Sequence, residues 1–293
     1  MLKKLRHISE LIIVKLFFYL LGLLPIRAAS NLGGFLGRKL GPIIKANKIA
    51  YNNIKMCFPD KAEDEIQTIL SGMWDNLGRN ITEYPHLRKI NRKNVDEYVN
   101  IEGAKTLDKI RNSNKTVIFI AGHFANWEMV PKTFWEYGVP AAIVYRKANN
   151  PLVNDMLLSI RSGYQTYPIA KGPAGARQLI KAIKNKEYIG MLIDQKQNDG
   201  IKVPFFGRNA MTAPAMANLA LRYDCMVVPV QLKRNKGFSF TMKLYPEIEL
   251  SRSDNHDKDI LDNMTHINKM FEKWIRENPS DWFWVHNRWP KES

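Results

Sequence analysis

The sequence predicts an α/β fold with a mixed, largely parallel sheet flanked by helices. From residue 116 onward, short apolar runs alternate with stretches of helical periodicity. No Pro/Gly/Ser linker, charge block or internal repeat divides the 293 residues, and a hydrophobic content of 45% suffices for a sizeable core. We therefore expect one large domain with an N-terminal extension.

The predicted strands are short, mostly apolar runs, at residues 116–121, 141–145, 188–193, 226–232 and 238–245. The predicted helices between and after them cover residues 126–137, 150–162, 173–185, 212–223 and 257–277. Upstream, residues 26–56 predict a second helix close to the first, and residues 62–80 predict an amphipathic helix. Such alternation favours a sheet whose ligands bind beyond the carboxyl ends of the strands.

The N-terminal segment is basic and then apolar. Lys3, Lys4 and Arg6 precede a run that Pro25 ends. The 14 residues from 11 to 24 would cover about 21 Å as a helix, less than the roughly 30 Å of bilayer hydrocarbon. A signal peptide is the rival interpretation, but no convincing cleavage site follows. We interpret residues 1–25 as a membrane anchor, in-plane or marginally spanning, with the body (26–293) on the cytoplasmic side.

The charge balance predicts anionic partners. The chain has 44 basic and 28 acidic residues, a formal charge of +16. Nucleic acid, an anionic membrane surface, an acidic protein or a phosphorylated substrate would all be complementary to it. Cys57 and Cys225 lie far apart in sequence, which excludes a disulfide framework and a CxxC pair and fits a reducing compartment.

The heptapeptide GHFANWE (122–128) follows the predicted strand at 116–121 and carries the main chemical signal. Gly122 permits a tight turn and Asn126 is a plausible helix N-cap. Two residues five apart on one helix point about 140° apart and cannot meet. With His123 in the turn and Glu128 in the first helical turn, the two side chains can come together. A carboxylate on one imidazole nitrogen frees the other to take a proton from a hydroxyl, which suits acyl transfer to an alcohol.

Other interpretations of the same residues remain open. A histidine near a strand end is often structural, and Glu128 would also stabilise a helix N-terminus through the helix dipole. Zinc binding is disfavoured because the motif lacks the second nearby histidine of H-E-x-x-H. The heptapeptide alone does not decide between these roles.

Further segments accompany the heptapeptide in a fixed order. They are YRKANNPLVND (145–155), RSGYQ (161–165), GMLIDQ (190–195), VPFFG (203–207) followed by Thr212, VVPV (227–230) and WFWVHNRW (282–289). Together with GHFANWE and the N-terminal anchor, this set resembles the bacterial lipid A biosynthesis acyltransferases. These are the late lauroyl/myristoyl transferases within the H-x4-D/E glycerolipid acyltransferase superfamily. The resemblance covers nearly the whole chain.

The resemblance implies a glycerol-3-phosphate acyltransferase-like fold and a location at the cell inner membrane. It implies transfer of a fatty acyl chain from an acyl carrier protein thioester to a hydroxyl of a lipid A precursor. His123 would be the general base and Glu128 its orienting partner, with no metal, no cofactor and no covalent acyl-enzyme. The partners would be acyl carrier protein, an anionic glycolipid acceptor and inner-membrane phospholipid, and no nucleic acid.

Within the resemblance, several polar residues become candidates for substrate binding. Arg161 and Arg146 would bind substrate phosphate or stabilise the thioester oxyanion, since a guanidinium stays charged and has several donors. Without the family context, both would be ordinary arginines on a solvated face. Asp194 and Gln195 end an apolar strand, where side chains reach a site, and a structural hydrogen-bonding role for them is equally compatible.

Aromatic residues near the C-terminal half allow two interpretations. Phe205 and Phe206 would line the acyl channel, with Gly207 turning the chain, or they would belong to the core. The aromatic cluster of residues 282–289 would be core or a membrane-interface belt.

Two other functions fit the sequence. One keeps the chemistry and changes the acceptor to another lysophospholipid or glycolipid. The other is a basic, non-catalytic protein that binds membranes or nucleic acid. The basic residues are dispersed, however, and no helix-turn-helix, zinc-finger or aromatic RNA-binding signature is present.

Overall fold

A computed structural model describes residues 2–289; Met1 and residues 290–293, which belong to the predicted anchor and body respectively, lie outside the described residues. Four short 3₁₀ segments occupy Gly41–Ile43, Tyr84–Lys89, Val95–Glu97 and Pro279–Asp281. The helices of the described chain are α1 Leu2–Gly22, α2 Ile26–Leu40, α3 Ala46–Cys57, α4 Glu63–Glu83, α5 Ala104–Arg111, α6 Met129–Glu136, α7 Pro151–Arg161, α8 Pro173–Lys184, α9 Ala215–Tyr223 and α10 His256–Glu277.

The strands are β1 Val99–Glu102, β2 Val117–Ala121, β3 Ala141–Tyr145, β4 Pro168–Ala170, β5 Tyr188–Leu192, β6 Ile201–Phe205, β7 Arg208–Thr212, β8 Met226–Arg234 and β9 Phe240–Leu244. Seven of them form one sheet in the order β1-β9-β8-β2-β5-β3-β4. All neighbours in it are parallel except β8 and β9. Strands β6 and β7 form a separate antiparallel hairpin.

The predicted α/β fold with a mostly parallel sheet flanked by helices is confirmed. The strands predicted at 116–121, 141–145 and 188–193 match β2, β3 and β5 to within one residue at each end. Strands β1, β4, β6 and β7 and helix α5 were not predicted. The prediction that Asn126 caps a helix is wrong, because α6 begins at Met129.

The sheet has a buried core on each face. Along β2, Val117, Phe119 and Ala121 belong to the apolar cluster beneath α5 and α6, whereas Ile118 and Ile120 belong to the cluster beneath α8, α9 and α10. Every residue of β2 is buried, as expected for a central parallel strand covered on both sides. The carboxyl end of β2 is therefore covered by protein on both faces of the sheet.

The N-terminal helices pack on the body rather than standing apart from it. Helix α2 approaches α4 so closely that a Cβ on Gly78 would lie 2.1 Å from the carbonyl oxygen of Gly33. Helix α1 is attached to the start of α7, where the Asn150 amide donates to the His7 carbonyl (2.9 Å) and to Glu10 Oε2 (2.8 Å). Within residues 2–289, none of the helices has the length and apolar character needed to cross a bilayer.

Candidate active site

The carboxyl ends of β2 and β5 bring two side chains together. Ala121 of β2 pairs with Leu192 of β5 in parallel register. His123 and Asp194 each lie two residues beyond that pair, so they leave the same edge of the sheet side by side. A Cβ on Gly122 would lie 2.5 Å from Phe124 Cε2 and 3.2 Å from Asp194 Oδ2, so this close approach requires glycine.

Asp194 holds the His123 ring in a defined orientation. Its Oδ1 lies 2.7 Å from His123 Nδ1, and its Oδ2 accepts the backbone N–H of His123 at 2.8 Å. The Trp282 indole also donates to Oδ2 at 2.8 Å. An ionised carboxylate only accepts hydrogen bonds, so Nδ1 carries the proton in the neutral ring and Nε2 has a free lone pair.

The charge state of Asp194 is fixed by its neighbours. The carboxyl is 2% exposed, and burial alone acts to raise its pKa. The positive charge that His123 can carry, its two hydrogen bonds and the Trp282 indole outweigh that effect and lower the pKa of Asp194 to about 2. Asp194 is therefore a carboxylate at neutral pH.

Glu128 does not occupy the position predicted for it. Its Oε2 accepts from Arg161 Nε at 3.0 Å and from the Tyr164 hydroxyl at 2.8 Å, and its Oε1 accepts from Arg161 Nη2. The predicted hydrogen bond with His123 is not formed, and Asp194, which we expected to bind substrate, makes that bond instead. The physical reason is the register of β2 and β5, which places Asp194 directly beside the imidazole, while Arg161 and Tyr164 bind the Glu128 carboxylate.

Arg161 and Glu128 form a largely buried ion pair in the wall of the cavity that His123 also lines. Burial acts to lower the pKa of Arg161, but the Glu128 carboxylate outweighs it and keeps the guanidinium charged. The guanidinium bonds to Glu128 through Nε and Nη2, and Nη1 has no hydrogen-bond partner among residues 2–289. Arg161 lines the same cavity as His123. A charged donor is thus available to a substrate oxygen at this position.

Hydrogen bonds from other parts of the chain hold the turn that carries His123, and we call this set of contacts the brace. Ala125 has a left-handed backbone (φ 48°), its N–H donates to the Asp281 carbonyl at 2.9 Å, and its carbonyl accepts from the Asn76 amide at 3.2 Å. A non-glycine residue persists in this region only when its surroundings hold it there. The amide of Asn80 donates to the same carbonyl.

A second buried ion pair completes the brace. The Glu83 carboxylate is fully buried and accepts from Arg234 at 2.6 Å and 3.0 Å. Glu83 Oε2 also accepts the side-chain amide of Asn126 at 2.8 Å, and Arg234 donates to Asn76 Oδ1 at 2.8 Å and Asn80 Oδ1 at 2.7 Å. Glu83 therefore holds the turn through Asn126, and Arg234 holds it through Asn76 and Asn80. Neither was identified from the sequence.

An apolar cavity of about 210 Å³ opens at His123. It runs along β2 as far as Phe119, whose ring stacks on Phe134 of α6 with centroids 4.3 Å apart. Trp127 also lines it and makes an edge contact with the imidazole, with ring centroids 5.1 Å apart. The cavity suits an extended hydrocarbon chain with its polar end at His123.

The remaining predicted site residues divide into two groups. Arg146 and Gln195 follow the ends of β3 and β5 and line the cavity. Phe205, Phe206 and Gly207 do not line it. The positive φ of Phe206 (52°) and Gly207 (71°) forms the two-residue turn between β6 and β7.

The prediction that these phenylalanines line the acyl channel is therefore corrected. Phe205 is fully buried, 5.8 Å from the Trp282 ring and stacked at 5.5 Å on Trp289. Phe206 is also buried, 6.3 Å from Trp284. The aromatic cluster of residues 282–289 is thus part of the core, which is one of the two alternatives that the sequence left open.

Comparison with known proteins places the chain among acyltransferases. It is similar to the lipid A biosynthesis palmitoleoyltransferase and lauroyltransferase of Escherichia coli (strain K12), each 23% identical over 90% of this chain and 86% of the relative. It is 22% identical to the myristoyltransferase of that strain, over 87% of this chain and 78% of the relative.

A solved structure, the 1-acyl-sn-glycerophosphate (LPA) acyltransferase PlsC from Thermotoga maritima, is 13% identical with a TM-score of 0.42, over 88% of this chain and 99% of that one. The family model for bacterial lipid A biosynthesis acyltransferases matches residues 1–291. The chain is therefore an acyltransferase and belongs to the bacterial lipid A biosynthesis acyltransferase family.

Proposed function

We propose that this enzyme transfers a fatty acyl chain from an acyl carrier protein thioester to a hydroxyl of a lipid A precursor, with His123 as the general base. The observation that carries the proposal is the hydrogen bond between His123 Nδ1 and the buried Asp194 carboxylate at the mouth of an apolar cavity. It presents Nε2 as a base at the point where a bound acyl chain would begin.

The reaction starts when Nε2 takes the proton of the acceptor hydroxyl as its oxygen attacks the thioester carbonyl carbon. The carbonyl electrons move to oxygen and form a tetrahedral oxyanion. When the carbonyl re-forms, the C–S bond breaks and the thiolate leaves with the proton from the imidazolium. The Asp194 carboxylate stabilises the transient imidazolium throughout, as expected for a buried counter-charge.

Arg161 is the donor that we assign to the oxyanion or to an acceptor phosphate. Its position in the wall of the cavity that His123 also lines and its retained charge support this role. Glu128, predicted to be catalytic, then acts by positioning Arg161 rather than by contacting the base. Arg146 and Gln195 are further substrate-binding candidates at the same edge of the sheet.

The membrane carries the acceptor, and the N-terminal helix is suited to reach it. Exposed apolar side chains lie along α1, including Leu2, Ile12, Ile13, Leu16 and Tyr19. We propose that α1 lies in the plane of the inner membrane, with the active site on the cytoplasmic side, and that residues 26–293 form the catalytic body. The formal charge of +16 favours anionic phospholipid and an acidic carrier protein as partners.

The test is transfer of radiolabelled acyl chains from acyl carrier protein to a tetra-acylated lipid A precursor by membranes containing the protein. His123→Ala should abolish transfer and leave membrane association intact. Full activity in this variant would exclude His123 as the base. Mass spectrometry of lipid A from a deletion strain would give the length and position of the missing chain, and unchanged lipid A would count against this acceptor.

A further inference from the structure

A second cavity, of about 470 Å³, lies on the opposite face of the sheet from the first. Its walls come from the end of β4, helix α8 and the start of α9, and apolar side chains such as Ile169, Leu179, Ile193 and Met216 predominate. These side chains belong to the buried cluster beneath α8, α9 and α10, whereas Phe119 and Phe134 of the first cavity belong to the other cluster. The central sheet therefore separates the two cavities over most of their length.

The two cavities meet at the carboxyl ends of the strands. Five residues line both of them, namely Val144, Lys171, Met191, Leu192 and Gln195. Leu192 and Gln195 lie within two residues of Asp194 in sequence, and Asp194 bonds to His123. The shared wall is therefore adjacent to the proposed base.

We propose that the second cavity binds a hydrocarbon chain of the lipid acceptor while the first holds the acyl chain of the donor. This inference rests on the proposed function. The reaction brings two lipid substrates to one imidazole, and their chains cannot occupy the same channel. With the donor chain along β2, an acceptor whose hydroxyl lies at Nε2 extends across the shared strand ends to the other face of the sheet.

The chemistry of the second cavity fits this occupant. Its lining is mostly apolar, as a hydrocarbon chain requires. Of its polar residues, Gln195, Gln197, Lys171 and Asp199 follow strand ends or lie in the adjoining loop, and Asn218 lies on α9. Lys171 is exposed and follows the end of β4, so its ammonium can contact an anionic headgroup that remains outside the cavity. The sheet edge would thus separate the donor chain from the acceptor chain and bring the thioester carbonyl carbon and the acceptor hydroxyl together at His123.

Substitution of cavity alanines tests the assignment kinetically. Ala176 of α8 and Ala215 of α9 line the cavity and are exposed, so a larger side chain at either position can fill the space without disturbing the core. We expect Ala176→Trp and Ala215→Trp to raise the KM for the acceptor about tenfold or more, because excluding about two methylene groups weakens binding by that factor. The preference for donor chain length should stay unchanged.

Ala174→Trp is the matched control, since Ala174 is exposed on the same helix and does not line the cavity. Its acceptor KM should equal that of the parent. A shifted donor-length preference in Ala176→Trp would assign the cavity to the donor chain and overturn the proposal. An unchanged acceptor KM in both cavity variants would overturn it as well, whereas failure of the parent enzyme to transfer any acyl chain would refute the proposed function.

Photo-crosslinking tests occupancy without turnover. The probe is a tetra-acylated lipid A precursor with a diazirine at the end of one hydrocarbon chain, prepared for each chain in turn. At least one probe should label peptides from residues 171–184 or 213–223, and Ala176→Trp should reduce that labelling. Labelling confined to residues 129–136, beside the first cavity, or no labelling of the α8 and α9 peptides, would overturn the assignment whether or not the parent enzyme is active in transfer.

Discussion

Asp194→Asn tests the proposed base most directly, because the hydrogen bonds around this side chain dictate how an amide must sit. Oδ2 accepts two donors, the backbone N–H of His123 and the Trp282 indole, whereas Oδ1 accepts only from Nδ1. The amide keeps more hydrogen bonds with its oxygen at the Oδ2 position. Its NH₂ group then donates to Nδ1, and the neutral imidazole must carry its proton on Nε2. That tautomer cannot accept a proton from a hydroxyl.

We therefore expect kcat of Asp194→Asn to fall by about 10²- to 10⁴-fold, the usual contribution of general base catalysis. This corresponds to about 2.7 to 5.4 kcal/mol of transition-state stabilisation. Initial rates of acyl transfer at saturating acceptor give kcat, and ¹⁵N NMR of the imidazole reports the tautomer directly. The matched control is Asp224→Asn, a mostly exposed carboxylate paired with Lys115 and Arg252, which should retain parent activity. A parent-like kcat in Asp194→Asn would refute the reasoning.

Three further predictions follow from the same contacts. Glu128→Gln should lower activity and leave the imidazole tautomer seen by ¹⁵N NMR unchanged, because Glu128 does not touch the imidazole, whereas Asp194→Asn should change that tautomer; a changed tautomer in Glu128→Gln would restore the original pairing. The pKa of Asp194 is about 2 in the folded protein, against 3.8 for an unperturbed aspartate. The ionised side chain therefore adds about 2 kcal/mol to the free energy of unfolding above pH 4, and this contribution is lost as the pH falls towards 2. Urea unfolding of the parent should show this loss, and urea unfolding of Asp194→Asn should not. Glu83→Gln should reduce the free energy of unfolding by about 3 to 5 kcal/mol, because it leaves the buried Arg234 guanidinium without its counter-charge. The control Asp262→Asn, at a half-exposed surface ion pair, should change that free energy by less than about 1 kcal/mol.

The central strands could be predicted because their signals are local. The runs that became β2, β3 and β5 are apolar, short and bounded by polar or turn residues, so periodicity and composition suffice. Strands β1 and β4 are three or four residues long and lie at the edges of the sheet, and β6 and β7 form a hairpin of mixed polarity. Segments so short carry too little periodicity to be recognised.

The position of His123 just beyond a strand was predicted correctly, but the carboxylate that bonds to its imidazole was not. His123 and Glu128 lie in one motif, and that proximity in sequence suggested a pair. The actual partner is 71 residues away and is defined by the pairing of two strands. The sequence shows that Asp194 follows an apolar strand. Pairing that strand in parallel with the strand before His123 places His123 and Asp194 at the same edge of the sheet.

The sequence does not reveal the brace behind the turn, because the residues that form it are also far apart in the chain. Glu83 and Arg234 are 151 residues apart, and nothing near either one marks it as buried. Glutamate and arginine are almost never fully buried unless paired, so each would be assigned to the surface when considered alone. Only the tertiary structure shows that they neutralise each other.

The pairing of β2 with β5 makes the contact between His123 and Asp194 depend on the register of the central sheet. A slip of one residue between these strands would bring Ile193 or Gln195 to the position of Asp194 and would turn every side chain of the strand to the opposite face. Under the proposed mechanism, acyl transfer therefore requires the correct register of these two strands. A form with slipped central strands should therefore be inactive, and the turnover number per total protein should fall with the slipped fraction of a preparation.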